Sequence, residues 1–231
     1  MLQGLAAVRE GTAAFFLPTA TTLCFLQRMT AKPNFRSEKA CIRAGAQIVA
    51  GVDEVGRGPL AGPVTAAAVV LDPKNVPKGL NDSKKLTAKA RDTLYAEIMA
   101  KAQVSIAHAT VDEIDDLNIL YASHLAMERA VLGLMTQPCH ALIDGNMIPK
   151  ALCCPATAIV KGDAKSLSIA AASIVAKVMR DRIMVDLAQQ HPGYGWEKNA
   201  GYPTKAHRDA LENLGVTPHH RRSFKPVYQM L

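Results

Sequence analysis

The sequence predicts an α/β fold in which helices flank a mixed sheet. Short apolar runs rich in β-branched residues alternate along the chain with longer segments whose apolar residues recur at helical spacing. Nearly half of the 231 residues (49%) are hydrophobic, so the chain can bury the core of one sizeable layered domain.

Five segments have the pattern of strands. Each is a short apolar or alternating run next to turn residues such as Gly, Pro, Asn or Asp. A Gly- and Pro-rich stretch, GRGPLAGP, joins the first two and predicts a tight connection between them. The five segments are QIVAGVD from Gln47, VTAAAVVL from Val64, VSIAHATV from Val104, ALID from Ala141 and ATAIV from Ala156.

Four segments have helical spacing of apolar residues. The first extends from Thr87 to about Ala102, and the second, VDEIDDLNILYASHLAMERAVLGL, predicts one long helix whose acidic start suits the helix dipole. The third, Leu167 to Gln190, begins with LSIAAASIVA, which is apolar all round and indicates a central, tightly packed helix. The last lies near Thr204 to Leu214 and precedes an irregular basic tail that includes Arg221 and Arg222.

The first 45 residues are poorly patterned, so we interpret residues 1–45 as an extension and linker and residues 46–231 as the domain. Gly11 to Gln27 is uncharged and similar to the core of a signal peptide, but Pro18 interrupts it and no clear cleavage site follows. We therefore expect a dispensable leader, with Met29 as an alternative start, and a cytoplasmic protein. No run of 18 apolar residues occurs, so no membrane partner is expected.

Charge and cysteine content narrow the class of partner. Lys and Arg outnumber Asp and Glu by 27 to 20, and this surplus is a weak signal for a polyanionic partner. The five cysteines form no C-x-x-C pair, and no His lies at zinc-finger spacing from them. Reduced thiols in a reducing compartment are the favoured interpretation.

Acidic residues lie at the ends of predicted strands. Carboxylates that converge repel one another unless cations lie between them, and all-oxygen ligands favour Mg²⁺ or Mn²⁺. Two such ions about 4 Å apart can stabilise the attacking and the leaving oxygen of a phosphoryl transfer. The four acids are Asp53 and Glu54 at the first strand, Asp144 at the fourth strand, and Asp163 in the loop before the long apolar helix.

Each of these features also has an ordinary structural interpretation. Asp144-Gly145 is a common turn pair, and Asp163 has the position of a helix cap. The turn Gly56-Arg57-Gly58 lets a ligand approach backbone N–H groups closely, but a tight turn with a solvated arginine has the same pattern. Spacing along the chain does not show that the four acids meet in space.

Six blocks of sequence, in this order, resemble bacterial ribonuclease HII, a type 2 ribonuclease H. The resemblance covers about residues 47–228 and excludes residues 1–45. It implies an RNase H-like fold with a mixed five-stranded sheet, flanking helices and a small C-terminal helical part. The blocks are AGVDEVGRGPLAGPVTAAAVVL, NDSKKL, LIDGN, KGDAKSLSIAAASIVAKVMRD, GYPTKAH and HRRSFKPV.

The resemblance also implies an activity. Such an enzyme hydrolyses the RNA strand of RNA–DNA hybrids and incises on the 5′ side of single ribonucleotides in duplex DNA, leaving 5′-phosphate and 3′-hydroxyl ends. Its cofactors would be two Mn²⁺ or Mg²⁺ ions. Its partners would be hybrid and ribonucleotide-containing duplexes, and we expect a monomer without an obligate protein partner.

The resemblance assigns roles residue by residue. The implied metal ligands and catalytic residues are Asp53, Glu54, Asp144 and Asp163. The implied substrate-binding residues are Gly56, Arg57 and Gly58 at the ribose 2′-hydroxyl, Tyr202 on the neighbouring deoxyribose, and Lys84 and Lys85 on phosphates. Without the resemblance, Tyr202 would more often be a buried core residue, and lone surface lysines usually have no such role.

Three alternatives remain open at this point. A ribonuclease HIII-like enzyme shares the fold, but Arg57 and the short leader argue against it. A non-catalytic nucleic-acid-binding module on the same fold would be expected to lack at least one of the four acids. A metal phosphatase of small substrates fits the acids but leaves Gly56-Arg57-Gly58, Tyr202 and the basic tail without a role.

Overall fold

Five strands form one mixed sheet in residues 32–231, the part of the chain that this computed structural model describes. They are Val49–Val55 (β1), Val64–Leu71 (β2), Ala102–Ala109 (β3), His140–Asp144 (β4) and Ala156–Ile159 (β5). The order across the sheet is β3-β2-β1-β4-β5. The β3–β2 and β2–β1 pairs are antiparallel, whereas β1–β4 and β4–β5 are parallel. The predicted mixed five-stranded sheet is confirmed.

Helices cover both faces of this sheet. They are Arg36–Arg43 (α1), Ala88–Lys101 (α2), Val111–Leu117 (α3), Ile119–Leu132 (α4), Leu167–Gln190 (α5), Trp196–Asn199 (α6), Lys205–Leu214 (α7) and Lys225–Tyr228 (α8). Side chains alternate between the faces, as the period of a strand requires. In β2, Ala66 and Ala68 belong to the core cluster that includes α4 residues, whereas Ala67 and Val69 belong to the cluster that includes α5 residues.

The long helix α5 packs unusually close to the central strand. A Cβ atom on Gly51 of β1 would lie 2.2 Å from the backbone carbon of Ser168, so only glycine permits this approach. The first half of α5 is buried, which agrees with its apolar sequence. The contact fixes the start of α5, and the loop before it, beside the end of β1.

The prediction of one long helix after β3 is wrong in one respect, because the segment is two helices. The backbone changes direction at Asn118, whose φ of 69° ends α3 and precedes α4. The Asn118 side chain accepts hydrogen bonds from the N–H groups of Leu120 and Tyr121 and so caps the start of α4. The N-cap therefore interrupts an otherwise continuous helical pattern.

The N-terminal boundary also differs from the expected one. The compact unit extends from Lys32 to Leu231, and α1 lies within the segment interpreted as linker. Glu38 of α1 is buried and accepts hydrogen bonds from the backbone N–H of Ser168 and from the hydroxyl groups of Ser166 and Ser168 at the start of α5. These donors satisfy one carboxylate oxygen, Oε1, and hold α1 against the sheet domain, whereas the buried Oε2 has no hydrogen-bond partner within residues 32–231. The expected leader and the alternative start at Met29 lie outside the described residues.

A smaller apolar cluster holds the C-terminal helices together. Trp196, Leu211 and Val227, from α6, α7 and α8, pack with Met184 near the end of α5 and with Leu60 of the β1–β2 connection. The C-terminal part therefore lies beside the connection that carries Gly56-Arg57-Gly58. None of the helices from residue 32 onward is long and apolar enough to span a bilayer.

Candidate functional site

The four predicted acids line one cavity of about 420 Å³. Strands β1 and β4 are neighbours and parallel, so Asp53 and Asp144 leave the sheet at the same edge. Glu54 follows Asp53, and Asp163 lies in the short 3₁₀ turn after β5. The structure therefore brings together residues that are about 110 positions apart, which spacing along the sequence did not establish.

Mutual repulsion and burial disfavour the charged forms of these acids. Burial raises the pKa of Asp53 well above its ordinary value, and the charges of Glu54, Asp144 and Asp163 raise it further. Burial also raises the pKa of Glu54, although the Arg57 guanidinium opposes this from 3.5 Å. The pKa of Asp163 is raised by burial and then by Asp144. A cation in the cavity would relieve this repulsion.

Two backbone hydrogen bonds orient the carboxylates. Asp53 Oδ1 accepts from the N–H of Glu54 at 2.8 Å, and Asp144 Oδ1 accepts from the N–H of Gly162 at 2.6 Å. The second bond ties the end of β4 to the turn that carries Asp163. The orientation of the two strand-end acids is therefore set by the backbone around them.

The donor set fits hard divalent cations that share their ligands with substrate. All four acids offer oxygen, the ligand that Mg²⁺ and Mn²⁺ prefer. Within residues 32–231, however, no three His, Cys, Asp or Glu side chains are arranged to hold an ion by themselves. Mg²⁺ is commonly bound by one or two carboxylates together with waters and substrate phosphates. The arrangement therefore suits ions that complete their coordination when a phosphodiester is bound.

The predicted substrate-binding turn borders the same cavity. Gly56, Arg57, Gly58 and Tyr202 are among its lining residues. Tyr202 is 41% exposed, so the interpretation as a core tyrosine is wrong. A Cβ on Gly58 would lie 3.3 Å from Cε1 of Tyr202, which places the ring directly over the glycine. One wall of the cavity thus consists of a glycine-rich backbone and an aromatic face.

The two lysines of NDSKKL have different positions. Lys84 lines the cavity. Lys85 is not among the lining residues and instead lies 3.9 Å from the Asp82 carboxylate. The sequence treated the two lysines as equivalent, whereas the turn at Ser83–Lys85 directs them differently.

Some lining residues were not predicted. Ser83, Ser173 and Lys177 also face the cavity, and the hydroxyl of Ser173 donates to that of Ser83 at 2.8 Å. Ser173 and Lys177 are four residues apart on α5 and so lie on one helical face. Polar residues four positions apart, at the end of the apolar first half of α5, were a sequence signal that Ser173 and Lys177 face the same cavity.

A neutral histidine network holds the segment that carries Tyr202. His207 Nδ1 lies 3.0 Å from the Tyr202 carbonyl oxygen, and His207 Nε2 accepts from Trp196 Nε1 at 3.0 Å. His220 Nδ1 accepts from the N–H of Thr217, which leaves the proton on Nε2, and this atom lies 3.2 Å from His207 Nε2. Burial lowers the pKa of His220 to about 4. The network is therefore uncharged near neutral pH.

Cavity size alone does not identify this site. A larger cavity, of about 600 Å³, lies against α1, β4 and β5 and is lined mainly by small and apolar residues such as Ala40 and Leu142. It contains none of the four acids. The smaller cavity is distinguished by its charged and exposed polar groups.

Comparisons with known proteins agree with the predicted resemblance. The family model described as Ribonuclease HII matches residues 50–227. The chain is 67% identical over 208 residues to Ribonuclease HII of Ruegeria pomeroyi, covering 90% of this chain and 89% of that protein. It is also similar to the solved ribonuclease H2 of Pyrococcus horikoshii, with a TM-score of 0.68 and 30% identity, over 80% of this chain and 97% of that one. A structure of Bst-RNase HIII in complex with Mn²⁺ has a TM-score of 0.66 at 19% identity, over 84% of this chain and 72% of that one, and shows likeness of fold alone.

Proposed function

We propose that this chain, which belongs to the ribonuclease HII family and is a ribonuclease H endonuclease, incises duplexes on the 5′ side of ribonucleotides. Its substrates would be RNA–DNA hybrids and DNA duplexes that contain a single ribonucleotide. The products would carry 5′-phosphate and 3′-hydroxyl ends. The observation that carries the proposal is the presence of four acids, Gly56-Arg57-Gly58 and an exposed Tyr202 in one cavity.

The four acids supply the ligands for catalysis. Asp53, Glu54, Asp144 and Asp163 would hold two Mn²⁺ or Mg²⁺ ions. Bound there, the ions supply an activated water and neutralise charge on the scissile phosphate. The backbone bonds to Asp53 and Asp144 hold these two carboxylates in place before substrate arrives.

The cavity wall formed by the glycine-rich turn and Tyr202 would select the sugar. The N–H groups of the glycine-rich turn and the Arg57 side chain would recognise the 2′-hydroxyl, the group that distinguishes RNA from DNA. The Tyr202 ring would pack on the adjacent deoxyribose. Recognition of the ribose would place the phosphate on its 5′ side next to the carboxylates.

Positive side chains would anchor the duplex without reading its sequence. Lys84 lines the cavity and would contact a phosphate there. Lys85 lies outside the cavity lining, and its contact with a phosphate farther along the duplex stays a prediction.

An incision assay tests the proposal. A labelled DNA duplex with one ribonucleotide, a matched all-DNA duplex and an RNA–DNA hybrid are incubated with the protein, with Mn²⁺, Mg²⁺ or excess chelator. We expect cleavage of the first and third substrates only, and only with a divalent ion. Failure to cut the single-ribonucleotide duplex while the hybrid is cut would favour the ribonuclease HIII-like alternative.

We assign the activity to the unit that begins at Lys32, which contains the whole family match and the predicted domain from residue 46. We place the enzyme in the cytoplasm, acting on its nucleic-acid partner as a monomer. In the described residues the cysteines are free thiols, which suits a reducing compartment. Size-exclusion chromatography with light scattering checks the oligomeric state.

A further inference from the structure

Two buried arginines lie behind the glycine-rich turn. Arg180 of α5 and Arg221 of the segment between α7 and α8 are both 0% exposed. Neither forms an ion pair with an acidic side chain of residues 32–231. A buried cation without an anion is destabilising unless other groups satisfy it. In the sequence, Arg221 belongs to an irregular basic tail, where nothing distinguishes it from its exposed neighbour Arg222.

Backbone carbonyl groups of the turn satisfy Arg221. Its Nη2 donates to the carbonyl oxygens of Gly56 at 2.6 Å and Gly62 at 2.8 Å. Its Nη1 donates to the Arg57 carbonyl at 3.1 Å, and its Nε donates to Gly62 at 2.9 Å. All three guanidinium nitrogens are therefore bonded to the connection between β1 and β2.

Arg180 holds the other end of the same connection. It donates to the carbonyl oxygens of Ala61 and Pro63 at 3.0 Å each. Its Nη1 donates to the Ala200 carbonyl at 2.9 Å, next to the segment that carries Tyr202. Arg180 thus joins the two segments, the glycine-rich connection and the segment of Tyr202, that form the cavity wall assigned to sugar recognition in the proposed function.

The direction of these bonds determines where the opposite side of each peptide group points. In a planar trans peptide, the C=O of one residue and the N–H of the next point in opposite directions. Since Arg221 binds the carbonyls of Gly56 and Arg57, the N–H groups of Arg57 and Gly58 point away from it. Within residues 32–231 these two N–H groups donate to no backbone or side-chain acceptor. They belong to residues that line the cavity.

Sequence and charge support this arrangement. Gly56 has a φ of +97°, and a Cβ there would lie 2.1 Å from Arg180 Nε, so no side chain fits between the turn and Arg180. Burial lowers the pKa of Arg180 to about 10 and that of Arg221 to about 9, and both remain cationic at neutral pH. A cation on a carbonyl polarises the whole peptide group and strengthens its N–H as a donor.

We infer that Arg221, supported by Arg180, is a positioning residue for ribose recognition: it fixes the peptide groups whose N–H donors, at Arg57 and Gly58, meet the ribose 2′-hydroxyl oxygen. The inference rests on the proposed function. Arg221 itself does not touch substrate and acts through the backbone of the turn. Its effect therefore concerns the distinction between ribose and deoxyribose more than general attraction to the duplex.

The test compares Arg221→Met with Arg222→Met. The two neighbours carry the same charge, but Arg222 is exposed, and within residues 32–231 its only hydrogen-bond donor in use is the backbone N–H, which binds Asp115. In an Asp144→Asn background, fluorescence anisotropy gives the affinity for a single-ribonucleotide duplex and for the matched all-DNA duplex. We expect Arg221→Met to reduce the ribose preference about tenfold, since two hydrogen bonds are misplaced, with all-DNA affinity changed about twofold. Arg222→Met should weaken both affinities equally.

A second variant covers the case in which Arg221→Met does not fold. Arg221→Lys keeps a buried cation, but one nitrogen cannot span three carbonyls. It should also lose ribose preference, and circular dichroism verifies that the tested protein is folded. Unchanged preference in a folded Arg221→Met or Arg221→Lys variant would overturn the inference, whatever the loss in thermal stability.

A measurement on protein with both arginines unchanged distinguishes failure of the inference from failure of the proposed function. In ¹⁵N-labelled protein with the single change Asp144→Asn, the Arg57 and Gly58 amide resonances should shift with the single-ribonucleotide duplex and not with the all-DNA duplex. Equal response to both duplexes contradicts the inference. If this protein shows no difference in affinity between the two duplexes, the proposed function itself fails, and the inference with it.

Discussion

The carboxylates at the end of the sheet and the arginines behind the glycine-rich turn are both groups of like charge, but they are satisfied in opposite ways. Arg180 and Arg221 donate from every guanidinium nitrogen to backbone carbonyls. Asp53 and its acidic neighbours repel one another, and each raises the pKa of Asp53. A buried charge whose donors are all bonded indicates a structural role, whereas a cluster of mutually repelling acids on a cavity indicates a ligand of opposite charge.

The largest expected effect follows from removing one charge of the acidic cluster. Asp144→Asn keeps the size of the side chain and should lower kcat about a thousandfold or more, because a metal ligand worth several kcal/mol in the transition state is lost. Affinity for the hybrid duplex should change about threefold at most. Steady-state cleavage and anisotropy measure the two quantities. As a control, Asp72→Asn removes an exposed carboxylate elsewhere and should leave kcat unchanged; full activity of Asp144→Asn would contradict metal ligation.

The buried histidines are a third kind of buried group, because they are uncharged in the folded protein. The pKa of His220 is about 4 in the folded protein and near 6.5 in the unfolded chain, so the unfolded chain takes up a proton first as pH falls. This group therefore lowers the free energy of unfolding as pH falls from about 6.5 to about 4. The acids with raised pKa increase the free energy of unfolding as pH falls. The contribution of His220 is therefore measured as the difference in stability between the parent protein and a His220 variant.

His220→Gln should isolate this contribution. We expect the parent protein to lose thermal stability, relative to the variant, by on the order of 5 °C between pH 7 and pH 4.5. The variant should be the less stable protein at pH 7, because its bond to His207 is changed. Differential scanning calorimetry at several pH values gives both numbers, and parallel pH curves for the two proteins would show that His220 is not the responsible group.

Removal of the Arg57 side chain tests the proposed role of the glycine-rich turn in sugar recognition without changing Arg180 or Arg221. Arg57→Ala should reduce discrimination between ribonucleotide-containing and all-DNA duplexes about fivefold to tenfold, with a smaller effect on duplex affinity. The contacts of Arg180 and Arg221 to the backbone remain available in this variant. An equal proportional loss of affinity on every duplex would indicate that Arg57 serves only as a positive charge.

The smallest effect concerns the two lysines that the structure separates. Lys84→Ala should weaken binding a few-fold on all duplexes and reduce the salt dependence by about one phosphate contact, whereas Lys85→Ala should change less. Affinities measured between low and moderate salt provide the slopes. Equal slopes for the two variants would show that the cavity lining does not define the phosphate contacts.

The sequence predicts the cluster of acids but not the pair of buried arginines. Asp53, Glu54 and Asp144 end apolar strand segments, and the family resemblance names all four acids, but only the parallel pairing of β1 with β4 shows that they meet. Arg221 and Arg222 are adjacent and chemically alike, and nothing local distinguishes the buried one. Its partners are carbonyl groups about 160 residues away, which become acceptors only when the turn has its folded shape.

The sequence missed the short helices α1, α6 and α8 and the break at Asn118, and the reasons differ for α1 and the break. The break at Asn118 had a local signal, since asparagine is a common N-cap residue. Helix α1 had a weaker local signal in the sequence, because it is short and its buried contact is the hydrogen bonding of Glu38 with serines at the start of α5. Such a contact depends on distant residues and is not visible in a single sequence.

Anomalous diffraction from crystals soaked in Mn²⁺, with Asp144 intact and a non-cleavable hybrid bound, tests the central claim most directly. The account predicts two peaks about 4 Å apart in the cavity, each with carboxylate oxygens from among Asp53, Glu54, Asp144 and Asp163 as ligands, and with the phosphate on the 5′ side of a ribonucleotide between them. Peaks elsewhere on the molecule, or a bound phosphodiester without any ion at these four acids, would contradict it.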